Sequence, residues 1–147
     1  MKIGERTMNK IIIREERKED YQATELMTMR AFWNIHSPGC NEHLLVHKLR
    51  ESEDYLPGIS RVAELDGKIV GAIFYSKAWV IDEANVHNVI TFGPLAVDPM
   101  AQSYGVGGML LRETFKLAKE EGYKGIIIVG EPEYYPKNEF AGIKERH

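Results

Sequence analysis

Three glycines, Gly105, Gly107 and Gly108, lie between an apolar, strand-like run and a segment with helical periodicity. Glycine lets a backbone approach a ligand closely, and the first N–H groups of a helix have no intrahelical acceptor. Those N–H groups and the helix dipole together favour a phosphate or another anion. Residues 102–108 are therefore predicted to form an anion cradle. The same glycines would also allow a tight strand-to-helix connection that binds nothing, and the turn alone does not separate these two interpretations.

Two common phosphate-binding motifs do not match this turn. The Rossmann fingerprint needs a glycine where Leu110 stands, and it belongs to a first strand-helix turn rather than to one that follows a hairpin. A P-loop needs Gly-Lys-Ser/Thr, whereas Gly108 is followed by Met109. The sequence thus argues against a dinucleotide-dependent dehydrogenase and against an NTPase.

The segments on either side of the turn predict a strand-helix-strand unit. Residues 89–97 are strand-like, but Pro94 cannot donate to a ladder, so a bulge or splay is expected there. Residues 107–119 have one apolar helical face, and Gly122 is placed to end the helix. The apolar positions of that face are Leu110, Leu111, Thr114, Phe115 and Ala118. The positions expected to face water are Arg112, Glu113, Lys116, Lys119 and Glu120. Residues 125–130 are continuously apolar, as is typical of a strand in a buried parallel pair.

The first half of the chain predicts one strand, two helices and a hairpin. Residues 10–14 form a short β-branched run, and residues 20–33 and 41–50 have helical spacing. The expected apolar faces of the two helices contain Ala23, Leu26, Met27 and Ala31 in the first, and Leu44, Leu45 and Leu49 in the second. The dipeptide Asp66-Gly67 is the signal for a type I′ turn between strands 61–65 and 68–75. The second strand is expected to continue to Val80 before a polar connection leads to residue 89.

Composition limits the classes of function. The 147 residues are 44% hydrophobic and 28% charged, as in an ordinary soluble domain, and we expect one domain over residues 1–147. The net charge of -3 and the absence of a long basic run argue against nucleic acid and membrane surfaces as partners. A single cysteine, Cys40, allows no intramolecular disulfide and no Cys-based metal site, so we expect a cytoplasmic protein without a metal. Met8 is an alternative start, because the first strand-like run follows it.

The glycine turn resembles the cofactor motif of the GNAT superfamily of acyl-CoA-dependent N-acetyltransferases. That motif, Gln/Arg-x-x-Gly-x-Gly/Ala after a strand rich in valine and leucine, is matched by Gln102, Gly105 and Gly107. Residues 92–99 are similar to the strand before the turn, and residues 132–136 resemble a bacterial subgroup of the family. The resemblance implies an α/β (α+β) fold with a mixed, mostly antiparallel sheet, one splayed parallel pair and helices on both faces.

The resemblance also implies acetyl-CoA as cosubstrate and a primary amine of a small molecule or peptide as acceptor. The pantetheine arm would pair with backbone groups of Leu95, Ala96 and Val97, which the bulge at Pro94 would free from the neighbouring strand. The backbone N–H of Leu95 would help to stabilise the oxyanion. The turn residues assigned to the cofactor are Gln102, Ser103, Tyr104, Gly105, Val106, Gly107 and Gly108.

Tyr135 is the residue that the resemblance assigns as the acid that protonates the leaving thiolate. The alternative is that Tyr135 only packs after the last parallel strand. Three residues that would border an acceptor cleft, Glu83, His87 and His36, are candidate bases, although water-relayed deprotonation is equally compatible. The aromatic residues Phe32, Trp33, Tyr75 and Trp79 would line an acceptor pocket or belong to the core.

The C-terminal part of the sequence departs from the family's pattern. Only seven residues follow Phe140, enough for one short strand where the family usually has two. The last parallel strand is therefore expected to have an open edge, which would favour a homodimer. A shortened acceptor site would also suit a different function, that of an acyl-CoA-binding sensor or interaction module without turnover.

Overall fold

The computed structural model describes residues 10–35 and 38–127. Its strands are β1 (Ile11–Arg14), β2 (Arg61–Leu65), β3 (Lys68–Asp82), β4 (Asn85–Val97) and β5 (Ile126–Ile127). Its helices are α1 (Tyr21–Phe32), α2 (Glu42–Leu49) and α3 (Val106–Glu120), and two short 3-10 helices cover Lys18–Asp20 and Pro99–Tyr104. Within these described ranges, no helix is long and apolar enough to cross a bilayer.

The five strands form one mixed sheet in the order β1-β2-β3-β4-β5. Strands β1 to β4 pair antiparallel, and β5 pairs parallel to β4. One apolar cluster joins the sheet to α3, and a second joins its opposite face to α1 and α2. The predicted fold class, a mostly antiparallel mixed sheet with a parallel pair and helices on both faces, is confirmed. The shortened C-terminal strands and the open edge were predicted for residues that lie outside the described ranges.

The hairpin between β2 and β3 turns as the sequence predicts. Asp66 and Gly67 have φ values of 52° and 80°, the positive angles that a type I′ turn needs at both central positions. The turn lies at the end of the sheet where β4 finishes, because Gly71 pairs with Val97. We call this end of the sheet the cradle end, because β4 continues from here through the 3-10 helix Pro99–Tyr104 to the predicted anion cradle.

The hairpin between β3 and β4 is longer than predicted. The expected polar connection between Val80 and residue 89 is wrong, because ladder pairing continues to Asp82 and Asn85 around a turn at Glu83. Cross-strand pairing next to a tight turn is local, so it tolerates polar residues that a periodicity argument assigns to a loop. The result is an arm that extends the sheet away from the cradle end.

Helices α1 and α2 match their predicted buried faces only in part. Leu26, Leu44 and Leu45 are exposed, while α1 buries Met27 as predicted, together with Thr24 and Thr28, which were not predicted. The two threonine hydroxyls donate to backbone carbonyls one turn earlier, Thr24 to Asp20 (3.0 Å) and Thr28 to Thr24 (2.8 Å). Since their hydroxyls are satisfied within the helix, threonines can occupy the core face, which a count of apolar residues does not reveal.

Helix α3 matches its prediction closely. All five residues of the predicted apolar face are buried, and the five predicted polar positions are exposed. Gly122 has a φ of 92°, and the N–H of Tyr123 donates to the carbonyl of Ala118 (3.1 Å), so the helix ends in a glycine-terminated turn.

Gly71 on β3 allows α3 to pack directly on the sheet. A Cβ atom at this position would lie 2.6 Å from Cγ1 of Val106 and 3.1 Å from Cδ1 of Leu110. Real Cβ atoms do not approach other carbons so closely, so only glycine fits without displacing the helix. Because Val106 opens α3, this contact sets the height of the helix N-terminus above the sheet.

Replacing Gly71 by alanine is expected to destabilise the protein by about 1–3 kcal/mol through overpacking against α3. Gly58→Ala is the matched control, because no atom lies within 4 Å of its added Cβ and its φ is not positive. Urea denaturation monitored by circular dichroism measures both variants. Equal stability of the two variants would show that α3 does not depend on the close approach.

Candidate functional site

A bulge in β4 begins the site. Ile73 pairs with Leu95 and Tyr75 pairs with Phe92, so two steps along β3 correspond to three along β4. The extra residue falls at Gly93-Pro94, whose peptide bond is cis. The bulge predicted at Pro94 is thus confirmed. On its other side, β4 pairs with β5, and among the described residues this pairing involves only Ile90 and Thr91 of β4. The predicted splay between the two strands concerns residues after 127, which lie outside the described ranges.

After the bulge, the backbone of β4 alternates between its two neighbours. The N–H of Asp98 donates to the carbonyl of Val70 on β3 (2.8 Å). In an antiparallel ladder every second residue points its N–H and C=O at the partner. Ala96 therefore bonds towards β3, while the backbone groups of Leu95 and Val97 point to the other side, where β5 lies. Of the three residues assigned to the pantetheine arm, Leu95 and Val97 have the required direction.

The turn after β4 is more ordered than predicted. Residues Pro99–Tyr104 form a 3-10 helix, and Gly105 then adopts a φ of 73° before α3 begins at Val106. A left-handed conformation of this kind is easy only for glycine, which explains the residue at this point of the motif. Gln102, Ser103 and Tyr104 are exposed, as is Gly105.

The predicted anion cradle is the first turn of α3. The N–H of Met109 donates to the carbonyl of Gly105 (3.1 Å), the bond that opens the helical ladder. The preceding N–H groups, those of Val106, Gly107 and Gly108, have no intrahelical acceptor. No acidic residue lies in this first turn to offset the positive end of the helix dipole. Buried Val106 fixes the turn in the core, whereas Gly107 and Gly108 are partly exposed.

Asp98, for which the sequence predicted no role, fixes the approach to the cradle. The residue is 6% exposed, and its Oδ1 accepts from the N–H of Met100 (3.0 Å). Oδ2 accepts from Nη2 of Arg30 on α1 (2.8 Å). Asp-Pro before a helix is a recognised N-cap pattern, so the cap was detectable in the sequence. The pairing with Arg30 was not detectable, because the two residues lie 68 positions apart.

An open cavity of about 400 Å³ borders the 3-10 helix at the cradle end. It is lined by Arg30, Leu65, Asp66, Lys68, Ile69, Val70, Asp98, Met100, Ala101 and Tyr104. Its walls carry charges of both signs and include none of the residues 95–97 or 105–108. The cavity is therefore adjacent to the cradle and separate from the strand that would hold a thioester.

The four candidate aromatic residues do not share one pocket. Tyr75 is buried in the core, where its hydroxyl is 2.7 Å from Oγ1 of Thr114 on α3, and burial raises its pKa well above the usual range. Trp79 lies on the β3–β4 arm opposite Asn88, whereas Phe32 and Trp33 lie at the C-terminal end of α1. Trp33 and Trp79 are each about half exposed, at 52% and 54%.

Two of the candidate bases are too far from the bulge. His87 pairs with Val80 on the arm, and Glu83 lies in its turn. Eight residues of strand separate His87 from Leu95, roughly 25 Å at the usual rise. Neither side chain lies beside the bulge, and their assignment as bases stays a prediction. His36 and the predicted acid Tyr135 lie outside the described residues.

The described part of the chain contains no cluster of side chains that would form a metal centre. No three His, Cys, Asp or Glu side chains converge there on a point suitable for an ion. Cys40 lies before α2 with Sγ 3.7 Å from Nδ1 of His43, and burial raises the pKa of its thiol, which keeps it protonated and weakly reactive.

The sequence that contains this strand, turn and helix is similar to known proteins. A family model described as the acetyltransferase (GNAT) family matches residues 13–139. The uncharacterized N-acetyltransferase YjhQ of Escherichia coli K12 is 34% identical over 96 residues, which cover 65% of this chain. The matched segment spans about half, 53%, of the length of that relative.

Two solved structures have the same fold and retain sequence similarity. A GNAT family acetyltransferase from Brucella melitensis in complex with acetyl-CoA has a TM-score of 0.72 at 30% identity, covering 83% of this chain and 77% of its own. The E. coli GNAT family N-acetyltransferase YhbS in complex with CoA has a TM-score of 0.71 at 26% identity, covering 85% and 65%. Because the family model spans most of the sequence, the chain belongs to the GNAT family of acetyltransferases.

Proposed function

We propose that this protein is an N-acetyltransferase that transfers the acetyl group of acetyl-CoA to a primary amine. One observation carries the proposal: the backbone groups of Leu95 and Val97 point to one side of β4, and the same strand leads within a few residues to the cradle of N–H groups at the start of α3. A strand edge next to an anion cradle suits a ligand with an extended amide-containing arm and a pyrophosphate.

Acetyl-CoA has this shape and charge. Its pantetheine amides would pair with the backbone of Leu95 and Val97, and its pyrophosphate would accept hydrogen bonds from the N–H groups of residues 105–108. Membership in the GNAT family supports this assignment, as do the structural relatives from Brucella melitensis and E. coli, which are bound to acetyl-CoA and CoA. The acceptor is a small-molecule or peptide amine.

In the proposed transfer, the thioester of acetyl-CoA lies at the bulge. A neutral amine attacks the carbonyl carbon and forms the C–N bond, and the N–H of Leu95 stabilises the negative charge that develops on the oxygen. The C–S bond then breaks, and the thiolate of CoA takes a proton from Tyr135. The nitrogen loses its proton to water, since Glu83 and His87 lie too far away to accept it directly.

Release of free CoA thiol should therefore depend on an added amine. A panel of polyamines, aminoglycosides, amino acids and peptides, assayed with a thiol reagent, is expected to contain at least one compound that accelerates release from acetyl-CoA. Binding of acetyl-CoA without turnover on any amine would instead support a sensor or interaction module.

Tyr135→Phe is expected to lower kcat by about 10-fold or more while cofactor affinity stays within roughly twofold. An unchanged kcat would remove Tyr135 as the acid.

Gly105→Glu is expected to abolish most acetyl-CoA binding, because it combines an unfavourable φ with a negative charge at the phosphate position. Gly122→Glu is the matched control: its φ is also positive, at 92°, and its added Cβ also meets no atom within 4 Å. It lies at the opposite end of α3, about 25 Å away at 1.5 Å per residue. Calorimetry should show a loss of at least about tenfold for the first variant and less than about twofold for the second. Equal losses would contradict the cradle.

A further inference from the structure

Arg112 folds back over the predicted cradle. It lies four residues after Gly108, so the two positions are neighbours on one face of α3. Its Nη1 atom is 3.1 Å, and its Cζ atom 3.7 Å, from the place where a Cβ of Gly108 would be. Long helical side chains point towards the N-terminus, and here the guanidinium fills the space that glycine leaves open. From the sequence, Arg112 was predicted only to face water.

The guanidinium of Arg112 lacks a partner within the described part of the chain. The other described arginines all interact with protein groups: Arg14, Arg17, Arg30 and Arg50 form ion pairs with carboxylates, and Arg61 donates to backbone carbonyls. Arg112 alone among them has neither an ion pair nor a hydrogen bond in the described residues. As far as the described residues are concerned, its five N–H donors are therefore available to a ligand.

The location of this cation is electrostatically unfavourable in the protein alone. The start of a helix carries partial positive charge, and cations are stabilised at the other end. The first turn of α3 contains no acidic residue that would compensate. Glu113 follows Arg112 directly, and adjacent helical residues do not face each other. A cation held at the positive end of a helix beside unbonded N–H groups is stabilised once an anion binds between them.

We infer that Arg112 is a cofactor-binding residue that donates a charge-assisted hydrogen-bond pair to a phosphate of acyl-CoA. The inference rests on the proposed function, since it places the cofactor's phosphates at the start of α3. Guanidinium matches phosphate with two parallel N–H donors, a geometry that lysine does not provide. Gly108 then has two roles, because its N–H belongs to the cradle and its missing side chain makes room for the guanidinium.

Calorimetric titration with acetyl-CoA tests the inference on the wild type, Arg112→Gln, Arg112→Lys and Lys116→Gln. Lys116 lies one turn further along the exposed face, so its substitution removes the same charge away from the cradle. Arg112→Gln is expected to weaken binding about tenfold, the order expected for one lost charge-assisted pair, and Lys116→Gln less than about twofold. Arg112→Lys should recover part of the loss. Circular dichroism checks that each variant is folded.

A parallel titration with 3′-dephospho-CoA and CoA identifies the phosphate. A loss confined to CoA assigns Arg112 to the 3′-phosphate, and an equal loss with both ligands assigns it to the pyrophosphate. Wild-type binding of acetyl-CoA that Arg112→Gln leaves unchanged, or that Lys116→Gln reduces equally, would overturn the inference while leaving the proposed function intact. A wild type that binds no acetyl-CoA would overturn the proposed function and this inference with it.

Discussion

The one-residue bulge in β4 is the constraint on which the candidate site depends. Side chains and backbone groups both alternate along a strand, so an extra residue at Gly93-Pro94 resets both patterns at once. After the bulge, Leu95 and Val97 pack against the core beneath α3, in phase with Ile90 and Phe92 before it. The same shift points the backbone groups of Leu95 and Val97 towards the side of β5. The sheet keeps its core and also presents a strand edge to a ligand.

Two further contacts fix the cradle relative to that strand. Asp98 bonds to Val70 through its backbone and to Met100 and Arg30 through its carboxylate, so the end of β4, the 3-10 helix and α1 meet at one buried residue. Gly71 lets Val106 and Leu110 sit directly on β3, which sets the start of α3. Both contacts act on backbone position, which is what a site built largely from N–H groups requires.

Local patterns predicted the elements that the chain specifies over short distances. The Asp66-Gly67 turn, the bulge at Pro94 and the apolar face of α3 each depend on residues that are neighbours in sequence or on one helix. The buried face of α1 was predicted only in part, because Thr24 and Thr28 are polar residues that satisfy their hydroxyls within the helix and can therefore be buried.

The features of the site that were not predicted from the sequence depend on contacts between distant segments. The pairing of Arg30 with Asp98 and the clearance that Gly71 gives to Val106 join residues from different elements. The β3–β4 arm, which carries Glu83 and His87 away from the bulge, depends on a pairing register that cannot be predicted from the residue types. Conversely, Gly108 and Arg112 are only four residues apart, but the relation between them is visible only when the side-chain direction is known.

Amide chemical shifts measured during a titration with CoA give the sharpest test of the phosphate cradle, because the cradle consists of backbone N–H groups. The largest changes in a ¹H–¹⁵N spectrum are expected at Leu95, Val97 and residues 105–108, with little change at the Glu83 turn of the β3–β4 arm. Changes concentrated on the arm, or the absence of changes at residues 105–108 when CoA is saturating, would contradict a phosphate cradle at the start of α3.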